Sequence, residues 1–288
     1  MFELFFLVVR RMHAKHQGTL HCRNSNGKFQ VRSLQDNIYV ASGRTIYIYQ
    51  DKAPYGLLGS KNLDWLRGRP TNDLELAACP VHKCLYIGDL VKSCVWRMSP
   101  ANGHQLEKWL SESVWRLSVT SDGKVLVLDN DSRHLQLKIY TSDAELESTV
   151  PLRGDSMMYL RAAVELMPGV VAVQYEKSYS TNILKDVIIM CLNEKGDILS
   201  TVETKTISSL ASYSPGRLIA ADQESKQVIV IDRRLKPLQV LLQPDGPTRA
   251  LYWQPFLCYR RDTQELIVND FYSPFGQFNV YKLSYDDE

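Results

Sequence analysis

The densest set of soft ligands in the sequence is Cys79-Pro80-Val81-His82-Lys83-Cys84, with Cys94 ten residues further on. Zinc takes four ligands in a tetrahedron, usually from two tight pairs on opposed turns. No second pair accompanies this one, so the cysteines read as structural and no metal or other cofactor is expected. His13, His16, His21 and Cys22 form a second group near the N-terminus, again without preceding cysteine pairs. The sequence contains no Gly-x-Ser-x-Gly, no phosphate-binding P-loop and no His-Glu-x-x-His, so the usual hydrolytic and phosphoryl-transfer signatures are missing. What remains is a set of arginines beside aromatic rings: Trp115 with Arg116, Tyr159 with Arg161, and Arg249 with Tyr252. A guanidinium makes charge-assisted bonds to carboxylate or phosphate and stacks on flat rings. These residues are the candidate binding site, and their chemistry suits an acidic peptide or a single-stranded nucleic acid.

Residues so far apart share a surface only if a repeated unit carries each to an equivalent place. Six short aliphatic runs recur, starting at Ile38 (IYVAS), Leu85 (LYIGD), Val125 (VLVLD), Val170 (VVAVQ), Leu218 (LIAAD) and Leu266 (LIVND). The intervals are 47, 40, 45, 48 and 48 residues. A period near 45 with several strands per unit belongs to propeller blades, since helical repeats of the ankyrin and tetratricopeptide kinds are shorter. Inner strands are predicted before the runs, at 115–119, 161–166, 209–213 and 249–253. Turns such as Ser121-Asp122-Gly123, Pro168-Gly169 and Ser214-Pro215-Gly216 join them to the runs. Third strands follow at 46–49, 94–98, 135–140, 187–192, 228–231 and 278–283, with outer strands at 105–110, 198–202 and 238–242. No segment holds apolar residues at helical spacing over three turns.

The sequence therefore predicts an all-β fold, a six-bladed β-propeller with three to four antiparallel strands per blade, over residues 29–288. Residues 1–28 are a leader. Its apolar run at 2–9 is expected to close the ring, because the strand at 278–283 holds only the third place in its blade. Val125, Val127, Ile188, Val228, Val230 and Ile267 are the expected core between blades. Arg116 and Arg161 each stand nine residues before their aliphatic run, so successive blades should present them, with Arg249, around one mouth of the channel.

Two blades resemble a known family. Gly123-Lys124-Val125-Leu126-Val127-Leu128-Asp129, followed by Arg133 and Leu137-Lys138-Ile139-Tyr140, is similar to an NHL repeat. Gly216-Arg217-Leu218-Ile219-Ala220-Ala221-Asp222, followed by Lys226-Gln227-Val228-Ile229-Val230-Ile231-Asp232, repeats the match. In this pattern the aspartate bonds turn amides at the strand end and a basic residue neutralises it. Asp89 and Asp270 keep the aspartate, whereas Ser42 and Gln174 replace it. WD-type and kelch repeats are disfavoured, for want of Gly-His and Trp-Asp ends and of paired glycines. The resemblance covers about residues 29–283 and implies a propeller like those that close tripartite-motif proteins. His13-x-x-His16 resembles the end of a B-box, but the RING, B-boxes and coiled coil are not in the sequence, so ubiquitin ligase activity is not implied.

Composition narrows the partners. Thirty-four basic residues face thirty-two acidic ones, for a formal charge of +2, which gives no global attraction to nucleic acid or anionic membranes. Six unpatterned cysteines read as reduced, and the run at 2–9 is too short to cross a bilayer. The resulting expectation is a cytoplasmic, monomeric, non-enzymatic binding scaffold whose partner is an acidic protein or peptide segment, with no membrane contact. The alternative is a single-stranded RNA binder, as some NHL propellers are. A metal-dependent hydrolase, as some six-bladed propellers are, ranks third. The predicted inner strands present mainly Arg32, Arg116, Arg161 and Arg249, with Glu75 and Glu165 as the main acids, and a basic mouth repels a divalent cation.

Overall fold

A computed structural model describes residues 12–21, 29–63, 74–89, 93–131, 134–152, 158–177, 187–204, 206–222, 224–243, 256–270 and 277–285. The strand β1 (Met12–His21) precedes the first blade. Blade 1 is β2 (Phe29–Leu34), β3 (Asn37–Ser42), β4 (Thr45–Gln50) and β5 (Leu57–Asn62). Blade 2 is β6 (Leu74–Cys79), β7 (Cys84–Asp89), β8 (Cys94–Ser99) and β9 (Gln105–Leu110). Blade 3 is β10 (Arg116–Val119), β11 (Val125–Asp131), β12 (His134–Tyr140) and β13 (Leu146–Pro151). Blade 4 is β14 (Met158–Met167), β15 (Val170–Lys177), β16 (Val187–Asn193) and β17 (Ile198–Thr204). Blade 5 is β18 (Ile207–Ser214), β19 (Arg217–Asp222), β20 (Gln227–Asp232) and β21 (Pro237–Leu242). Blade 6 is β22 (Leu257–Arg260), β23 (Glu265–Asp270), β24 (Gln277–Tyr285) and, outermost, β1. Every sheet is antiparallel and in sequence order apart from this last return, and the described residues hold a single helical turn, Pro100–Asn102.

The chain is thus a six-bladed β-propeller. Each middle strand packs on a neighbouring blade with both faces, so it reads as a nearly continuous apolar run. Cys84–Asp89 is buried along its whole length, and Val187–Asn193 up to its final residue. The six expected core residues all lie in layers between blades. Val125 and Val127 meet Ala77 and Val95 between blades 2 and 3, and Ile188 meets Leu137 and Ile139 between blades 3 and 4. Val228 and Val230 meet Leu266 and Val268 between blades 5 and 6, and Ile267 meets Val31 and Val40 across the closing seam. Full burial of each such side chain stabilises the fold by about 1.5–3 kcal/mol.

Two expectations are corrected. The strand that closes blade 6 is β1, paired with β24 from Met12 opposite Tyr285 to His21 opposite Gln277, while residues 2–9 lie outside the described residues. An outermost strand faces water, and Lys15, His16 and Gln17 are exposed, so apolar character was the wrong guide. Gly18 sits where the ring closes: a Cβ there would meet the Tyr55 ring of blade 1 at 3.0 Å. The inner strand of blade 6 is β22, not 249–253, and the segment carrying Arg249 and Tyr252 lies outside the described residues. The turn that follows an inner strand needs a residue with positive φ. Gly123 supplies it in blade 3 at 93°, but Gln264 adopts it at 52° in blade 6, as Lys83 does at 50° in blade 2. A search for glycine and proline turns passes over such a hairpin.

Candidate functional site

The inner strands begin at one mouth of the channel, and there Arg116 and Arg161 sit one blade apart. Arg116 Nη1 lies 2.8 Å from Glu75 Oε1 of blade 2. Its Nε donates to the Arg161 carbonyl at 3.0 Å in blade 4, and its Nη1 also donates to the Trp115 carbonyl at 2.9 Å. Gln30 Nε2 of blade 1 donates to the same Glu75 oxygen at 3.2 Å. Arg161 pairs with Glu176, which is buried on β15. Gln174, standing at a repeat position expected to hold aspartate, carries the chain of contacts to blade 5 by donating to the Ile207 carbonyl at 3.1 Å. The result is a polar belt from blade 1 to blade 5, built from Gln30, Glu75, Arg116 and Arg161 of the inner strands and Gln174 and Glu176 of β15.

Aromatic side chains flank this belt. Trp115 Nε1 donates to the Leu160 carbonyl at 2.7 Å, and the Arg116 guanidinium lies 5.2 Å from the centre of the Trp115 ring. Tyr159, at the start of β14, is 45% exposed. The Arg161 side chain keeps 30% of its surface open, against 16% for Arg116. Trp115 and Arg116 thus turn to the junction of blades 3 and 4. Tyr159 stands opposite Glu176 on the face of blade 4 from which Gln174 reaches blade 5, and Arg161, bonded to Glu176, turns to that side too. Arg116 spends its donors on neighbouring blades, whereas Tyr159 faces outward.

The other mouth, where inner strands end, opens into a cavity of about 440 Å³ lined by all six of them. Small side chains such as Ala78, Ser118 and Ala211 leave this space, and Arg32 and Glu165 stand on its wall. Glu165 is buried and accepts bonds from the Ser121 amide at 2.7 Å and hydroxyl at 3.1 Å. Glu75 and Glu165 thus sit toward opposite ends of the channel, each with its own partners. Sequence reasoning missed the cluster at the closing seam, where buried Arg260 bonds Asp51 Oδ2 at 3.0 Å and Glu265 Oε2 at 2.7 Å. Its signal was absent because 209 residues separate Arg260 from Asp51.

Cys79 and Cys84 are directly opposite on β6 and β7, and Cys94 pairs with Asp89 at the far end of the blade. Among the described residues no group of three His, Cys, Asp or Glu side chains is arranged to hold a metal ion. Among them, too, no helix is long and apolar enough to cross a membrane.

No family model matches the chain, and no curated protein matches it. Solved structures do match. The WD40 repeats of RRP9 share 11% identity over 94% of this chain and 100% of that one, with a TM-score of 0.61. Virginiamycin B lyase from Staphylococcus aureus shares 8% over 94% of this chain and 99% of that one, at 0.58. The Cps50 (Swd1) β-propeller domain from Myceliophteria thermophila shares 10% over 94% of this chain and 100% of that one, at 0.56. At such identities the likeness is one of fold, and a fold that serves both WD40 repeats and a lyase does not decide function.

Proposed function

We propose that the chain is a non-enzymatic binding platform that docks a protein or peptide on the mouth where the inner strands begin. The observation that carries this reading is the rim of blade 4: exposed Tyr159 opposite Glu176, whose partner Arg161 is partly open, with Trp115 and Arg116 reaching the same strand from blade 3. Tryptophan, tyrosine and arginine dominate the energetic centres of protein interfaces. The open side of Arg161 favours an acidic segment in the partner, and Tyr159 provides a flat apolar face next to it. The WD40 propellers of like fold support an interaction role. The blades themselves we read as NHL-like: Asp222 accepts bonds from the Glu224 and Ser225 amides at 3.0 and 3.3 Å, the task assigned to the aspartate of that repeat. We place the module in the cytoplasm as a monomer.

The test is capture from lysate with and without ribonuclease, followed by affinity measurement on the recovered partner. Tyr159→Ala should weaken a protein partner by about thirtyfold, since central aromatic truncations cost about 2 kcal/mol. Its melting temperature should stay unchanged, because the ring is exposed. Equal affinity for wild type and variant would remove the site from this mouth. Loss of the partner on ribonuclease treatment, with binding that falls steeply as salt rises, would replace the protein reading with RNA.

A further inference from the structure

The cysteine pair under the first hairpin of blade 2 is used neither by the belt nor by the rim of blade 4. Cys79 closes β6 and Cys84 opens β7, and they are the last paired residues before the four-residue turn. Directly opposed residues of an antiparallel ladder have Cα atoms about 4.5–5.5 Å apart. A disulfide accepts Cα separations of about 4.4–6.8 Å, so either kind of pair in this ladder lies within its reach. The two side chains share one sheet face, in the apolar layer between blades 2 and 3. Both are nearly or fully buried, yet Pro80, Val81, His82 and Lys83 above them are all exposed.

The surroundings differentiate the two thiols. The His82 backbone N–H donates to Cys79 Sγ at 3.4 Å. A hydrogen bond from the Cys84 thiol, stronger than the opposing effect of burial, helps to pull the Cys79 thiol down to about 6. Cys84 is pushed up as the donor of that bond and by burial. The His82 N–H favours charge on Cys79, the downward-shifted partner of the pair, so Cys79 is the sulfur placed to attack and Cys84 the one placed to resolve.

We propose that Cys79 and Cys84 form a peroxide-oxidisable dithiol that closes to a disulfide across the hairpin. The Cys79 thiolate attacks one oxygen of hydrogen peroxide; an S–O bond forms, the O–O bond breaks, and the departing hydroxide takes a proton to leave as water. Cys84, deprotonated, then attacks the sulfenic sulfur of Cys79; an S–S bond forms and the S–O bond breaks, releasing a second hydroxide that is protonated to water. In sum, two thiols and one peroxide give one disulfide and two waters, with two electrons passing from sulfur to peroxide. Fraying of the exposed turn admits the small oxidant, since a hairpin end opens at much lower cost than the whole fold.

Hydrogen peroxide added to the full chain, followed by differential alkylation and peptide mass spectrometry, tests this. Cys79 and Cys84 should lose alkylation together, about tenfold faster than Cys191 and Cys258, whose thiols burial pushes up. The linked peptides should lack two hydrogens, and dithiothreitol should restore both thiols. Cys84→Ser should stop the reaction at a sulfenic acid on Cys79 that dimedone traps. If that variant does not fold, the wild-type rates and the cross-link still decide the question. Oxidation of all buried cysteines at one rate, or a persistent sulfenic acid on wild-type Cys79 without a cross-link, overturns the proposal.

Discussion

Replacing Arg116 by alanine asks whether the belt is structural. The change removes the cation 2.8 Å from Glu75 and releases the Arg161 and Trp115 carbonyls, bonded at 3.0 and 2.9 Å. Glu75 is 5% exposed and loses this cation where water compensates little. Breaking a buried ion pair from one side costs about 3–5 kcal/mol. The Arg116 side chain retains 16% exposure, so the low end, about 3 kcal/mol, is the expected loss. For a chain of this size the melting temperature falls by about 2 °C per kcal/mol, hence about 6 °C. Glu75→Ala should cost a similar amount. The double variant should cost less than the sum by about 1–3 kcal/mol, because both changes delete one interaction. Urea titration followed by tryptophan fluorescence suits the measurement, since Trp115 bonds across the same seam to Leu160. A loss from Arg116→Ala below about 1 kcal/mol, the range of surface pairs, or strict additivity in the double variant, would refute the reasoning. Arg116 would then be a solvated cation available to a ligand.

Three further outcomes follow from the fold. Val127→Asp puts an unpaired charge into the layer between blades 2 and 3 and should cost about 3 kcal/mol or more; cooperative melting at the wild-type temperature would show that the register is wrong. Deletion through His21 removes β1, bares Phe278 and Val280 and leaves β24 as an edge, so the thermal transition should fall and broaden; unchanged melting would mean that the ring closes otherwise. Burial raises the Glu112 carboxyl, but hydrogen bonds from Lys138 and Tyr140 outweigh it and hold the group below the usual carboxylate value of 4.5. A depressed acid stabilises the fold above its unfolded value and loses that contribution as pH falls through its folded value. Melting temperature should therefore drop more steeply below about pH 4.5 in wild type than in Glu112→Gln, and parallel profiles would count against the pairing.

How much of the ring could be read from the sequence depended on burial. Middle strands are covered on both faces, so runs such as Val125 to Leu128 stand out as aliphatic and their spacing counts the blades. Outer strands lack that constraint. In β17 most side chains and in β21 half of them are exposed, and β1 exposes Lys15, His16 and Gln17. The closing strand was therefore sought in the nearby apolar run rather than in Met12–His21. Turn chemistry failed for a second reason. Lys83 and Gln264 occupy the left-handed backbone region without glycine, held there by the ladders on either side.

The sequence put Arg116 and Arg161 on neighbouring inner strands, but not the direction in which each turns. A spacing of 45 residues suggests equivalent points for Arg116 and Arg161, but Arg116 stands opposite Leu128 whereas Arg161 falls in a bulge between the pairs Leu160–Tyr175 and Ala162–Gln174, nearer the rim of its blade. Repeat arithmetic says nothing of where a side chain ends. Blades stand radially around the channel, so a residue on an inner strand can turn toward a neighbouring blade as well as toward the axis. Gln30 and Arg116 both reach Glu75 of blade 2, from opposite sides, and Arg116 and Trp115 both reach carbonyls of blade 4. Each contact satisfies a backbone or carboxylate group that a narrow channel would otherwise leave poorly solvated. Cations at this position therefore join the blades first, and only surface left over from that task can meet a partner. That leftover surface is Tyr159 and the open side of Arg161, which is why recognition at this mouth should depend on the ring more than on Arg116.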